Sequence, residues 1–498
     1  MEIKDRPKKI RKRIPGKRVL VTSYSKETKT IEITEAIVRE FGEFAAKQKL
    51  KLYIVGGYVR DYYLRRPRAD FDFTVVGDAI EFAEKLAKKY KTKAVIYPRF
   101  RTALVHIGDH HYEFVGTRKE EYQQDSRKPI VKEGTLLDDL RRRDFTINAM
   151  AVSVNPESIG ELIDIFDGQK DLERRILKTP LDPFTTFSDD PLRMMRAARF
   201  AAQINFSIEP GTMAAIRAMH DRISIVSQER ISDELLKLLG GKKPAKGFKI
   251  LQETGLLRIV FPELDNLKGI EVVKIDGREY AHKDVFNHTL KVVDKLAEET
   301  DDLWLRFAAL VHDIAKPKTK RFIEGTGWSF HGHEELGARW MSKIFRRMKF
   351  PLEHLPYVEK LVRLHQRPMT LVDEEITDSA IRRLAVQAGD ALKDLFQLCR
   401  SDITTNNPKL NSRYLNNYNR VAQKVMDVQE KDKLREFQSP VRGEEIMELC
   451  NLQPSKAVGI IKTNIEEAIL DGEIPNEYDA AKEYFLVHKD EWLSDISS

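Results

Sequence analysis

The chain has 498 residues, of which 41% are hydrophobic and 33% charged, and a net charge of +7. That length holds several domains with more than one sizeable core. The balance is that of globular protein, with no apolar run near the ~18 residues of a membrane-spanning helix. Two cysteines, Cys399 and Cys450, stand in neither metal nor disulfide spacing, which excludes a disulfide scaffold and fits a reduced, cytoplasmic setting.

The first 18 residues carry nine Lys or Arg against two acids and no apolar signal core. Such an arm suits a polyanion, and equally a solvated tail. Residues 31–49 have the spacing of an amphipathic helix. The stretch YIVGGYVRDYYLRRPRADFDFTVV at 53–76 follows. It predicts a strand, a turn at Gly56-Gly57, a turn of helix and a second strand from Phe71. Asp70 and Asp72 are two apart at that strand's start, so their carboxylates share one face. Such a pair repels unless a cation neutralises it, and Mg²⁺ takes one or two carboxylates plus substrate phosphates. Gly56 and Gly57 let an anion approach the backbone at a helix start, with Arg60 one turn on. A surface DxD on a strand is the plainer alternative.

A helix (AIEFAEKLAKKY) and strands AVIYP, TALVHIG and HYEFVGT come next, predicting a small mixed sheet with helices packed on it. Glu113 lies in the last of these strands as a third carboxylate or an ordinary strand residue. Residues 118–138 are polar, and their lack of periodicity predicts a long loop. Arg141, Arg142 and Arg143 then stand in a row, requiring an anion or carboxylates nearby, and Asp144 to Asn148 complete RRRDFTIN.

In SDDPLRMMRAARF, Asp190 and Pro191 predict a helix start with Asp190 as N-cap and Pro191 at the first position. Asp190 and Arg193, three apart, share one side of a first turn. Together they present an acceptor and several donors, an edge able to read a base; an N-cap with an ion pair explains the same residues. Arg196 is one turn on. ERISDELLKLL starts another helix, whose Glu229, Arg230 and Glu234 suit bracing of the preceding one. Residues 168–270 read as helix throughout.

Seven of the 12 histidines fall between His282 and His365. His288, His312-Asp313, His331, His333, His365 and then Asp402 come from successive helical segments, the composition of a metal site in a helical bundle. Scattered surface histidines are the alternative. The last eighty residues predict helices with Gly and Pro punctuation, and Lys456 and Lys462 in PSKAVGIIK suit a phosphate grip or simple helix packing.

GGYVRD with ADFDF, RRDFTIN and DDPLR, in this order, resemble the motifs of the class II tRNA nucleotidyltransferases and bacterial poly(A) polymerases, members of the polymerase-β-like nucleotidyltransferase superfamily. The histidine series resembles the HD phosphohydrolase domain. The resemblance runs from about residue 50 to the end. It implies an α+β chain: a small mixed-sheet nucleotidyltransferase head followed by an all-helical neck, body and HD domain. The expected division is a basic arm at 1–20, head at 21–167, neck and body at 168–270, HD domain at 271–420 and a tRNA-binding tail at 421–498. It implies template-independent addition of CCA to tRNA from CTP and ATP, with no membrane role. Asp70 and Asp72 would hold Mg²⁺, with Glu113 as a third catalytic carboxylate. Gly56, Gly57, Arg60, Arg143, Asp144, Asn148, Asp190, Arg193 and Arg196 would bind nucleotide. His288, His312, Asp313, His333, His365 and Asp402 would hold a divalent transition metal, with His331 as a substitute for His333. Asp189 departs from the family's glutamate. Poly(A) synthesis and A-only or CC-only addition remain alternatives within the same chemistry. An HD phosphohydrolase whose head only binds RNA, and a non-catalytic RNA scaffold, are alternatives outside it.

Overall fold

The computed structural model describes residues 30–67, 71–121, 130–269, 272–275, 278–281, 284–370, 377–405, 407–432 and 439–497. The basic arm and Asp70 therefore lie outside the described residues. The chain divides into two compact units. One comprises Met1–Asp190 with Ser207–Ala215, and the other Pro191–Phe206 with Ile216–Ser498.

In the first unit, helix α1 (Ala36–Lys47) buries Val38, Phe41 and Ala45 along one stripe. Strand β1 (Lys51–Val55) leads through the Gly56 turn into α2 (Gly57–Tyr63), and β2 (Phe71–Val76) follows. Asp78 then caps α3 (Ala79–Lys89) by accepting from the amides of Ile80 and Glu81. Strands β3 (Ala94–Tyr97), β4 (Thr102–Ile107) and β5 (His110–Gly116) form an antiparallel meander. A β6 (Arg118–Glu121) and β7 (Ile130–Glu133) ladder comes next, then α4 (Leu136–Arg141), β8 (Met150–Ser153) and β9 (Leu162–Asp164). The ladder corrects the expectation of a structureless loop across 118–138; residues 122–129 are outside the described part.

The main sheet has the order β3-β4-β5-β2-β1-β8-β9, with β2 and β5 parallel and the other pairs antiparallel. One face is sealed by aromatic packing, because alternate residues of the strands point to it. Phe73 and Phe114 stack at 5.1 Å, and Phe41 of α1 meets both edge-on. Phe82 of α3 closes on Phe114 at 5.3 Å. The opposite face is covered over β1 and β8 by α4, where Leu140 packs with Val55 and Ala151. Over β2, β5, β4 and β3 its side chains stay half-buried or exposed, apart from Thr74 and Thr102. Helices α5 (Gly168–Arg174) and α6 (Pro183–Asp189) complete this unit, and the short parallel pair Ile176–Leu177 and Ser207–Ile208 interrupts a region expected to be wholly helical.

The second unit is mostly helical. Its α7 (Leu192–Gln203) is buried over nearly its whole length. Further on, Arg306 is buried at 1% exposure and donates to the carbonyls of Leu239, Gly241, Ala297 and Thr300. One side chain thus joins a helix end to the helices that follow. The helix Pro408–Asp432 runs across the expected boundary at residue 420. The C-terminal helices Gly443–Cys450, Lys456–Asp471 and Tyr478–Ser497 share a small core of Val441, Ile446, Ile461, Ile465 and Phe485.

Candidate active site

Asp72 on β2 is the in-register partner of Glu113 on parallel β5. In-register neighbours lie about 4.8 Å apart with side chains on one face. Burial, and then the Asp72 charge, raise the Glu113 carboxyl above its ordinary range, while Arg118, Arg143 and Arg142 oppose the shift. Two carboxylates so placed repel, and a cation between them would relieve the repulsion. At the adjoining turn Gly56 has φ +70, a conformation costly for side-chain-bearing residues. A Cβ there would stand 3.0 Å from Arg143 Nη1 and 3.9 Å from Asp72 Oδ2. The glycine therefore leaves open the space between a guanidinium and a carboxylate. A Cβ on Gly57 would stand 3.6 Å from Arg60 Nη2, in ordinary contact.

The arginine row is anchored by a residue that sequence reasoning missed. Asp139 is fully buried and accepts from Arg142 at 2.6 and 2.9 Å and from Arg143 at 3.1 Å. Burial alone would raise its pKa, but the two guanidiniums outweigh it and hold the carboxyl below its usual value. The signal was in the spacing: Asp139 is three and four residues before the arginines at the end of α4. Arg143 Nε stays buried without a hydrogen-bond partner among the described residues. Half of this guanidinium is thus oriented by Asp139 and the rest left for an anion.

Arg60 donates to Asp61 at 2.7 and 2.9 Å and to Asn148 Oδ1 at 3.0 Å. Asn148 donates in turn to Asp144, which also accepts from the amide of Phe145. Arg60, Asp144 and Asn148, expected as separate nucleotide contacts, are one network, and Asp61 is its unforeseen member. Thr146 donates to Asp171 at 2.7 Å, and Asp164 accepts from the amides of Gly168 and Gln169, fastening α5 to the RRDFTIN segment.

Asp190 ends α6 in extended conformation, and Pro191 occupies the N-cap of α7. This corrects the expected start by one residue. The ring of a proline disfavours helical backbone before it, so Asp190 is extended and α6 stops there. Arg193 is buried in the first turn of α7. Arg196 and Arg199 both donate to Glu234, at 3.3 and 2.6 Å. Arg199 was not singled out from the sequence, although its spacing from Arg196 puts it on a neighbouring face.

In the second unit the histidine series converges. The ligand-capable atoms of His288, His312 and Asp402 lie within 4.8 Å of one another, as do those of His312, Asp313 and His365. His333 Nε2 lies 3.2 Å from Asp313 and 3.3 Å from His365 Nε2. His331 is exposed and outside this group. His312, His333 and His365 each hold Nδ1 at 2.7–2.8 Å from the carbonyl three residues earlier. A carbonyl only accepts, so Nδ1 carries the proton and the Nε2 lone pair faces the centre. His288 Nδ1 is held by the Thr404 hydroxyl at 2.8 Å. Among the described residues His312 Nε2, Asp313 Oδ1 and Asp402 Oδ1 are buried without a hydrogen-bond donor, although His288 Nε2 comes to 2.8 Å from Asp402 Oδ1. Neutral imidazoles and orphaned carboxylate oxygens aimed at one point fit a metal ion.

Burial presses the His312 imidazole down, yet with only protein groups around it Asp313 and Asp402 raise it to about 10, so a metal ion would bind here by displacing the Nε2 proton. Burial would raise the Asp313 carboxyl, but His312 and Lys316 outweigh it and hold the carboxyl well below its usual value. Lys316, 2.7 Å from Asp313, was not foreseen. A cavity of about 630 Å³, lined by His288, Lys316, Trp328, Phe330, Cys399 and Asp402 among others, opens onto the centre.

A mixed sheet with paired carboxylates beside an arginine-lined glycine turn, followed by a helical His/Asp centre, defines a nucleotidyltransferase head joined to an HD-type domain. Family models agree. Residues 52–178 match the poly A polymerase head domain, 205–268 the probable RNA- and SrmB-binding site of polymerase A, and 285–387 the HD domain. The chain is 33% identical to the multifunctional CCA protein of Dechloromonas aromatica over 71% of this chain and 84% of that protein. It is 32% identical to the A-adding tRNA nucleotidyltransferase of Deinococcus radiodurans over 69% of this chain and 78% of that one. The CCA-adding enzyme of Bacillus stearothermophilus, solved with CTP, shares the fold at a TM-score of 0.60 and 21% identity, over 92% of this chain and 98% of that one. The chain belongs to the tRNA nucleotidyltransferase and poly(A) polymerase family. Among the described residues no helix is long and apolar enough to cross a membrane.

Proposed function

We propose that this protein adds CCA to the 3′ end of tRNA, using CTP and ATP without a nucleic-acid template. The observation that carries the reading is the Asp72–Glu113 register beside the open space between Gly56 and Arg143. Asp70, Asp72 and Glu113 are the residues that would hold Mg²⁺, whose chemistry is to neutralise the triphosphate and favour the 3′-alkoxide. Arg143, preset by Asp139, meets the triphosphate, and the Gly56-Gly57 turn lets it approach the backbone. Arg60, Asn148 and Asp144 hold the sugar side of the nucleotide as one braced unit. The 3′-hydroxyl of the RNA attacks the α-phosphate and pyrophosphate leaves; positioning and charge neutralisation supply most of the rate. Asp190 and Arg193 offer the acceptor-donor edge that selects C or A, and Glu234 steadies α7 through Arg196 and Arg199.

For the second unit we infer a metal-dependent phosphohydrolase site held by His288, His312, Asp313 and Asp402, with His333 and His365 as further ligands. A divalent transition metal held by these residues would supply Lewis-acid activation of water near neutral pH. Lys316 and the adjoining cavity receive the phosphate ester. The order arm, head, neck and body, HD domain and tail is part of this reading, with the helix Pro408–Asp432 continuous across the expected boundary between the last two.

The test is a gel assay on tRNA ending at the discriminator base, with Mg²⁺ and CTP and ATP, separately and together. Three added nucleotides, with CTP required before ATP, support CCA addition. Addition of A alone to tRNA already ending in CC, with no use of CTP, moves the protein to the A-adding activity named for the Deinococcus relative. No addition to any acceptor overturns the reading.

A further inference from the structure

The carboxylate face of the head sheet continues beyond the active residues. Registered pairs carry one row from Asp72 to Glu113 on β5, Leu104 on β4 and Val95 on β3. Directly paired residues share a face, so these four side chains stand on the same side. Tyr97, two residues after Val95, is on that side as well. Helix α4 covers this face over β1 and β8 and reaches β2 through Asp139, which accepts from the Thr74 hydroxyl at 3.3 Å. The outer half is left with Val95 at 42%, Tyr97 at 48% and, at the corner after β3, Phe100 at 45% exposure. Among the described residues β3 is an edge strand, paired only with β4. Large apolar and aromatic side chains grouped on an open edge mark an interaction surface rather than scatter.

The surroundings say what kind of partner fits. Lys93, two residues before Val95 and so on the same side, is exposed just ahead of β3. Arg99 is exposed beside the Phe100 ring, its guanidinium carbon 5.8 Å from the centroid. Further along the same face His106 and His111 meet edge-on at 4.1 Å. Aromatic rings beside cations on an open sheet face have the composition of a single-strand nucleic-acid platform. From Asp72 to Val95 is three strand spacings of about 4.8 Å, or roughly 14 Å. That is the length of a few stacked nucleotides at about 3.4 Å each.

We propose that this outer half, from Leu104 through Val95 and Tyr97 to the Phe100 corner, stacks the unpaired 3′ bases of the acceptor RNA and guides its end to the carboxylates. The proposal rests on the nucleotidyl-transfer reading above. Tyr97 and Phe100 are positioning residues in it.

The test measures binding of a fluorescent acceptor minihelix with a short 3′ overhang, against the same minihelix made blunt. The doubly substituted Tyr97→Ala, Phe100→Ala protein should bind the overhang RNA about tenfold more weakly, the loss of about one base stack. Blunt RNA should bind unchanged. Tyr97→Phe with Phe100→Tyr should keep the parent affinity, and Val95→Glu should repeat the selective loss by placing a negative charge on the path. Equal losses for both RNAs, no loss for either, or a lowered melting temperature as the sole effect would overturn the proposal. Selective loss in a protein that adds no nucleotide would overturn the enzymatic reading and leave the surface. Normal addition with unchanged overhang affinity would remove the surface alone.

Discussion

Asp72 and Glu113 lie opposite one another on the parallel strands β2 and β5, although 41 positions separate them in the sequence. Their proximity raises the Glu113 carboxyl through burial and the Asp72 charge. Its folded pKa therefore exceeds its unfolded one, and the folded state binds the proton more tightly. Stability falls as pH rises from the unfolded value through the folded one. Glu113→Gln should accordingly raise the melting temperature of the metal-free protein at pH 7 while lowering nucleotide addition by roughly tenfold or more. A variant that melts lower and adds nucleotide at the parent rate would remove Glu113 from the carboxylate group.

Asp139 carries the opposite sign. Its carboxyl is held below the usual range, so its contribution is present above the unfolded pKa and lost as pH falls through the folded one. Asp139→Asn should cost about 2–3 kcal/mol at neutral pH, because it weakens two guanidinium contacts around a buried group. The difference from the parent should shrink in acid, as urea melts at pH 7 and pH 4 would show. Loosening Arg143 should also raise KM for the nucleoside triphosphates.

Arg193 is buried at the start of α7. Arg193→Ala should leave triphosphate affinity within a few fold and erode the choice between C and A. Sequencing of the products after incubation with all four nucleoside triphosphates reads this directly. A variant of unchanged fidelity would end the base-reading role.

Thr404 holds His288 by one hydrogen bond and does not itself belong to either ligand group. Thr404→Ala should weaken metal binding by roughly 10–100-fold, as loss of such outer contacts does. His331→Ala should leave it unchanged. Metal content by mass spectrometry after dialysis against graded chelator separates the two.

Much of the head was legible in the amino-acid order because its signals are local. Period-two apolar runs, the Gly56-Gly57 stop and the DxD spacing depend only on neighbours in the chain, and they mark strands and a turn wherever the chain goes. The resemblance of the histidine series to the HD phosphohydrolase domain picked out His288, His312, Asp313, His333, His365 and Asp402 as a group, and His312-Asp313 stood out by its place at the end of an apolar helical run. Partnership across distance was decided by the tertiary structure. Only the parallel register puts Glu113 beside Asp72, only the fold buries Asp139 under two arginines, and only packing separates His333 inside the centre from His331 two residues away in solvent. Residue type states what a side chain is able to do. Burial and register decide which charges it meets, because electrostatic and hydrogen-bond energies depend on distance and on the exclusion of water, which one-dimensional spacing does not contain.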